Sequence, residues 1–275
     1  MGLGGYLTWT AAARELHSRT GLKCFPFEQH GNFIKLIKSP IFHNNPHFEQ
    51  DFSEKNCVPL QLNNPATNYC LNDLHDRAIH KKDNHIIHTI CNFYGIDNPQ
   101  LKCEIFLDES EKKEVNKILD GLPEEFITIE PFSNTDYTIN RGYPFKKWQK
   151  IVDDLANDFN IVQIGMSPLL LKGVLDLRGK TTFRTAGGII EKSKLLLSSE
   201  GGLTHLSTAF DTPAFVILTG YQTLKMVKYP QNLYLDISNH GPCGYKRLCK
   251  DCQEDAINHD VKEAILKLSE FLKDK

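Results

Sequence analysis

Lys194-Leu-Leu-Leu-Ser-Ser-Glu-Gly-Gly-Leu-Thr-His-Leu-Ser-Thr-Ala-Phe210 is the stretch on which the fold turns. It opens with an apolar run, Leu195 to Leu197, that reads as a buried strand. Ser198, Ser199, Glu200, Gly201 and Gly202 then turn the chain, and Leu203, Leu206 and Ala209 fall on one helical face. A buried strand that feeds a helix through small residues is the phosphate cradle of open α/β folds. The glycines let backbone approach a ligand, and the helix N-terminus supplies free N–H groups and a partial positive charge. Glu200 stands at the carboxyl end of the strand, where a ribose diol could hydrogen-bond to it. The same residues also read as an ordinary βα turn with a glycine N-cap, and the stretch alone does not separate the two readings.

Working outward, the second half of the chain alternates strand and helix. Phe126 to Phe132 and Asn160 to Met166 read as strands, with a helix from Pro144 to Phe159 between them that turns Trp148, Ile151, Val152 and Leu155 inward. Val174 to Leu177 is a short strand. Thr181 or Thr182 caps a helix that runs through Lys192. After the opening stretch come strands at Pro213 to Thr219 and Asn232 to Ile237, then an amphipathic helix from Asp260 to Lys275. This alternation predicts a parallel sheet covered on both faces, with ligands held beyond the carboxyl ends of its strands.

The first half is less regular. Gly2 to Gly5 read as a glycine-rich turn ahead of a helix from Tyr6 to Arg19, with no strand before it in the sequence. Leu22 to Phe27 and Val58 to Leu62 read as strands, and most of the chain from Gly31 to Pro65 as loop. His85 to Tyr94 forms a helix. Leu101 to Leu107 reads as a strand, followed by a helix capped at Asp108 or Ser110. The break at Gly121-Leu-Pro123 sets the domain boundary, giving units at 1–123 and 124–275 with the last helix packing back on the first. The five histidines between His43 and His85 lack metal-ligand spacing and read as solvated surface.

Composition narrows the function. The chain has 275 residues, 40% hydrophobic and 24% charged, values ordinary for a globular protein. A net charge of -2 gives no field to attract nucleic acid. No apolar run approaches the roughly 20 residues that span a bilayer, and the N-terminus lacks the basic and apolar regions of a signal peptide. A cytoplasmic location is expected, with peripheral contact at the inner membrane as a variant of it. Eight cysteines in a chain this long do not impose a disulfide framework.

Several segments, in order, resemble the heptosyltransferase-type glycosyltransferases of family nine. Gly2-Leu-Gly-Gly-Tyr-Leu-Thr-Trp-Thr-Ala-Ala is similar to the family's Gly-Leu-Gly-Asp opening loop. Arg141-Gly-Tyr-Pro-Phe-Lys-Lys-Trp148 is similar to its Lys/Arg-x-Trp-Pro-x-x-x-Trp segment. Asp176-Leu-Arg-Gly-Lys-Thr-Thr182 resembles Asp-Leu-x-Gly-Lys-Thr-Ser, and Ser199-Glu-Gly-Gly-Leu-Thr-His-Leu206 resembles Asn-Asp-Ser/Thr-Gly-x-x-His-Leu. Thr212-Pro-Ala-Phe-Val-Ile-Leu-Thr-Gly220 is similar to the strand that follows. The resemblance is densest from residue 126 to about 252. It implies the GT-B fold, an α/β architecture of two Rossmann-like domains facing across a cleft, here with a reduced N-terminal domain whose first strand is missing.

The resemblance also implies a nucleotide-diphosphate-sugar site, with Arg141 on the diphosphate, Ser133 or Asn134 near the phosphates and Thr181 beside the base. Glu200, Gly201, Gly202, Thr204 and His205 complete it at the helix N-terminus. The implied reaction moves a heptose-like sugar, with inversion and without a metal, from an ADP-heptose-like donor to a bacterial glycan or protein, as in lipopolysaccharide biosynthesis. The acceptor side falls to the loop of Gly4 and Gly5. Where the family closes that loop with its catalytic Asp, this chain has Gly5, which cannot take a proton. The catalytic group is therefore unassigned, with Glu15, His17 and Asp73 as alternatives. A noncatalytic nucleotide-sugar-binding protein and a sugar-nucleotide epimerase are the other readings. Finally, His240, Cys243, Cys249 and Cys252 place an imidazole and three thiols within thirteen residues, a donor set suited to a structural zinc; the resemblance, some of whose members hold an iron with cysteines at a comparable place, implies iron as a second choice. Reduced cysteines in a loop are the alternative.

Overall fold

The computed structural model describes residues 2–50, 56–67, 70–72, 78–80, 84–132 and 137–273, with side chains throughout except in 70–72 and 78–80. Helix α1 (Leu3–Thr20) comes first, followed by β1 (Cys24–His30), β2 (Phe33–Leu36), β3 (Val58–Gln61), β4 (Cys70–Asn72) and β5 (Ala78–His80). Helices α2 (Ile86–Phe93) and α3 (Glu109–Leu119) lead to β6 (Phe126–Glu130), α4 (Phe145–Leu155), β7 (Asn160–Gln163), β8 (Leu175–Asp176) and α5 (Phe183–Lys192). Then come β9 (Leu196–Ser199), α6 (Gly202–Ala209), β10 (Ala214–Leu218), α7 (Leu224–Val227), β11 (Leu233–Asp236), α8 (Lys250–Asn258) and α9 (Val261–Lys273).

Six strands form one sheet in the order β11-β10-β9-β6-β7-β8, and every pairing in it is parallel. The chain runs outward from β6 through β7 to β8, then returns to lay β9 on the other side of β6. The strand order therefore reverses between β6 and β9, and the crevice beyond their carboxyl ends is where such sheets hold ligands. Alternate residues of the strands serve opposite faces. Ile127 and Ile129 meet Trp148, Ile151, Val152 and Leu155 of α4 on one side, where Trp148 is fully buried. Phe126 belongs to the other side, with Ile189 and Ile190 of α5 and Leu206 of α6. This second cluster continues without a break into Leu7, Trp9 and Leu16 of α1 and Ile87 and Ile90 of α2.

The elements form for local reasons. Asp108 caps α3 by accepting from the Glu111 N–H while the Glu111 side chain accepts from the Asp108 N–H, and Thr182 and Thr185 make the same reciprocal pair on α5. Several expectations need correction. Gly4 and Gly5 lie within the first turn of α1 and not in a loop. Leu101–Leu107 alternates burial as a strand would, but it joins no sheet. The Cys103 N–H donates to Thr208 Oγ1 and the Glu104 N–H to Thr10 Oγ1, so side chains of α6 and α1 replace a ladder. Among the described residues, the last helix packs with α4 and the sheet through Val261, Ala264 and Leu268. His85 is no surface histidine: it is 4% exposed and its Nδ1 caps α2 by accepting from the Ile87 N–H.

Candidate functional site

The carboxyl end of β9 delivers Glu200, and α6 starts two residues later at Gly202. A Cβ on Gly4, in the first turn of α1, would lie 2.7 Å from the Gly202 Cα, a backbone atom that cannot give way. A Cβ on Gly202 would meet the ring of Phe183, the first residue of α5, at 3.2 Å. The first turns of α1 and α6, neither with a side-chain cap, thus meet backbone to backbone, with the Phe183 ring from the start of α5 against them, and the α6 N-terminus is a setting that favours an anion.

Glu200 is 5% exposed and sits between two partners. Its Oε2 lies 2.8 Å from Nε of Arg141, and its Oε1 lies 3.7 Å from Nε2 of His205. Arg141 ends a 3-10 turn, Ile139–Arg141, whose N-cap is Thr138. Its guanidinium lies 4.8 Å from the ring centroid of Tyr221 and 5.3 Å from that of Tyr137, and Nη2 donates to Gln222 Oε1. Stacking on two rings holds the guanidinium fork in place. Arg141, Glu200, Thr219, Tyr221 and Gln222 line a narrow crevice. Below it, Thr204 Oγ1 joins Ser198 Oγ and the Ser199 carbonyl, which fixes the first turn of α6 to the strand.

His205 is 7% exposed, and its Nδ1 meets the Tyr229 hydroxyl at 2.6 Å. Burial lowers the pKa of His205; Arg141 adds to this and Glu200 opposes it. The ring is neutral at pH 7. Burial raises the Tyr229 phenol well above its usual value, so it keeps its proton. In the tautomer where Tyr229 donates to Nδ1, the imidazole carries its proton on Nε2, the nitrogen nearer Glu200, and is a hydrogen-bond donor on that side.

A second constellation lies near this one. Cys252 Sγ is 3.3 Å from Cys243 Sγ and 3.5 Å from His240 Nε2, and Cys249 Sγ is 3.9 Å from the same nitrogen. Ligands of a tetrahedral zinc with bonds of about 2.3 Å stand about 3.8 Å apart, so the donor atoms of His240, Cys249 and Cys252, all within 4.8 Å of one another, fit such an ion, while Cys243 falls outside that group and adjoins it through Cys252. The other ring nitrogen, Nδ1 of His240, meets Asp255 Oδ2 at 2.7 Å, the carboxylate–histidine pairing that orients an imidazole toward a metal. The hydrogen bond from Cys252 draws the Cys243 thiol below its usual value, toward the thiolate a metal needs. Asn140, the neighbour of Arg141, accepts from the Cys249 N–H and donates to the Tyr245 and Arg247 carbonyls. The cysteine loop and the Arg141 turn are one hydrogen-bonded unit.

No protein-family model and no curated protein matches the sequence. Solved structures match in shape. A family nine glycosyltransferase from Veillonella parvula superposes with a TM-score of 0.65 over 99% of this chain and 94% of its own, at 10% identity. The chain has the fold of a family nine glycosyltransferase. The iron-containing dodecameric glycosyltransferase TibC of enterotoxigenic E. coli matches with a TM-score of 0.66 at 12% identity, over 99% of this chain and 74% of that one. E. coli ADP-heptose LPS heptosyltransferase II matches with 0.54 at 14% identity, over 72% of this chain and 65% of that one.

Within this family nine fold, the structure brings together Arg141, Glu200, Gly201, Gly202, Thr204 and His205, and sets Gly4 against them. Thr181 lies just ahead of the α5 cap, in the segment that leads to Phe183, without a hydrogen bond to the others. Ser133, Asn134 and Asp73 lie outside the described residues. Glu15 stands eleven residues along α1 from Gly4, roughly 17 Å at 1.5 Å per residue, and is paired with Arg14. His17 lies farther still and meets the Leu22 carbonyl. Neither replaces a base at the α1 N-terminus. Sequence reasoning missed Tyr137, Tyr221, Gln222 and Tyr229. Tyr221 and Gln222 carried a signal, since they follow a buried parallel strand at its carboxyl end. Tyr137 and Tyr229 carried none.

Among the described residues, no helix is long and apolar enough to cross a membrane.

Proposed function

We propose that the chain is an inverting glycosyltransferase that transfers a heptose-like sugar from a nucleotide-diphosphate donor to a bacterial glycan or protein. The observation that carries the reading is Arg141, Glu200 and His205 assembled beside the α6 N-terminus at the switch point of the sheet. In this reading the diphosphate lies on the α6 N-terminus, the Arg141 fork pairs with its oxygens, and the His205 Nε2–H donates to the charge that grows as the sugar departs. Residues 1–123 form the acceptor-side unit and 124–275 the donor-side unit. The likeness to TibC, whose structure with ADP-D-β-D-heptose also matches this fold with a TM-score of 0.60, supports ADP-heptose as the first donor to try.

One observation favours a second reading. Gly5 is inside α1 and brings no carboxylate to the crevice, which suits a noncatalytic nucleotide-sugar-binding protein. Incubation with ADP-heptose separates the two. Release of ADP above the rate without protein is the expected result. Saturable binding of ADP-heptose with no release would establish the second reading instead, and absence of any binding would remove both.

For the sulfur cluster we read a structural zinc, with iron, named for TibC, as the second metal. Protein purified without an affinity tag is expected to carry about one equivalent of zinc or iron by elemental analysis, as this donor set implies. Cys252→Ser is expected to leave it well below that. Metal-free protein from untagged preparations grown with both metals would refute the site.

A further inference from the structure

The donor reading, which sets Thr181 beside the base, leaves the ribose without a polar partner. Glu200 was the first candidate for the ribose, but both its oxygens face Arg141 and His205. A second carboxylate stands at the carboxyl end of the adjacent strand, outside the lining of the Arg141 crevice and on the side of β7. Glu130 is the last residue of β6, level with Ser198 of β9 in the sheet register. Glu130 and Glu200 therefore flank the point where the strand order reverses, one from each strand.

Alternation along β6 puts Glu130 on the face of Phe126, the side covered by α5 and α6. Its carboxyl group lies over the end of the neighbouring strand. A Cβ on Gly165, two residues past β7, would fall 2.4 Å from Glu130 Oε1. Gly165 also has φ +85, a left-handed conformation that disfavours any other residue. In dinucleotide-binding sheets, an acidic side chain about twenty residues beyond the phosphate loop, on the following strand, hydrogen-bonds the ribose hydroxyls. Here the end of β7 offers no side chain at Gly165, and the Glu130 carboxyl fills the space. No side-chain hydrogen bond or ion pair of Glu130 is present among the described residues. A half-buried carboxyl with no partner, at the carboxyl edge of the central strand, is uncommon without a ligand to satisfy it.

We infer that Glu130 is the ribose-binding residue of the nucleotide site, hydrogen-bonding the 2′- and 3′-hydroxyls of the nucleoside diphosphate. The inference rests on the donor-site reading above. Burial pushes the Glu130 carboxyl up to about 8, so at neutral pH it carries a proton. A neutral carboxyl offers one acceptor and one donor to a diol, and it adds no negative charge beside a diphosphate.

Calorimetric titration with ADP, 2′,3′-dideoxy-ADP and inorganic pyrophosphate tests this. The parent protein is expected to prefer ADP over the dideoxy analogue by about tenfold, the worth of one to two hydrogen bonds. Glu130→Ala is expected to bring the two affinities within twofold while leaving pyrophosphate unchanged. Glu130→Met keeps the volume without the polar atoms and serves if the alanine variant unfolds; the same loss of preference is expected. A parent preference for ADP that both variants retain would overturn the Glu130 assignment and leave the donor site standing. Binding of pyrophosphate by the parent with no ribose preference would overturn it as well. A parent that binds none of the three probes would overturn the donor-site reading and this inference together.

Discussion

Arg184→Met is expected to destabilise the protein by about 3–5 kcal/mol, the cost of leaving one partner of a buried ion pair alone. In a chain of this size that lowers the melting temperature by roughly 5–9 °C. Arg184 is 4% exposed, one residue into α5. Its Nε and Nη2 donate to the two carboxylate oxygens of Glu111 on α3. Nη2 also donates to the Phe106 carbonyl, and Nη1 to the Pro40 carbonyl. One guanidinium thus ties α5 to α3, to the 101–108 segment and to the short turn at Pro40–Phe42. Nη1 also reaches the His43 carbonyl, so methionine fills the space but strands a carboxylate and three carbonyls. Lysine is expected to recover little, because a single ammonium cannot serve all of these acceptors with the planar fork's geometry. Removing the orphaned charge, in Arg184→Met with Glu111→Gln, is expected to recover part of the loss.

The pH dependence of that loss follows from Glu111. Its hydrogen bond with Arg184 is the main force holding its carboxyl below the ordinary 4.5. A depressed acid contributes stability that is fully present above its unfolded value and fades as pH falls through the folded one. The gap between parent and Arg184→Met should therefore be widest at neutral pH and narrow below about 4.5. A gap that stays constant from pH 7 to pH 3 would assign the effect to packing instead.

Arg141→Ala is expected to weaken binding of nucleoside diphosphates about 100-fold or more, since hydrogen bonds to charged groups contribute about 1.5–3 kcal/mol each. The loss has two sources. The fork no longer meets the diphosphate, and Glu200, 5% exposed, is left with its charge directed at the same anion. Arg141→Lys keeps the charge but gives up the stacking on Tyr221 and Tyr137, so most of the loss should persist. In Arg141→Ala with Glu200→Ala the repulsion is gone, and affinity is expected to return part of the way. Titration with ADP reads all three variants. Affinity unchanged in Arg141→Ala would remove the crevice from consideration as the donor site.

The parallel sheet was legible because its strands are buried on both faces and read as apolar runs between caps and small-residue turns. Asp108, Thr182 and the inward row of α4 fell where the periodicity placed them. The hairpin strand β2 was illegible for the opposite reason: all four of its residues are exposed, so Phe33, Ile34 and Leu36 follow no burial pattern. Helix α8 was missed because Cys252 and Ala256 are its only buried residues, and the cysteines there drew attention to ligand spacing over helical period. The 101–107 segment shows the limit of alternation as evidence. Its side chains alternate inward as a strand's do, while its backbone is satisfied by two threonines on crossing helices. For the site, motif order located the pieces on the sheet. The aromatic shelf under Arg141 and the reach of Glu130 depend on contacts between distant segments, which no local pattern records.

The glycine contact between α1 and α6 also constrains how this chain can vary. At Gly4 the obstacle to any side chain is the Gly202 backbone, which no substitution elsewhere can shrink. At Gly202 the nearer obstacle is the ring of Phe183, which a smaller residue would remove. The two positions therefore differ in their evolutionary freedom. Gly202 could accept alanine in a lineage that had first replaced Phe183, whereas Gly4 has no such permissive step. Among sequences descended from this one, variation at 202 should track variation at 183, and position 4 should stay fixed regardless of both.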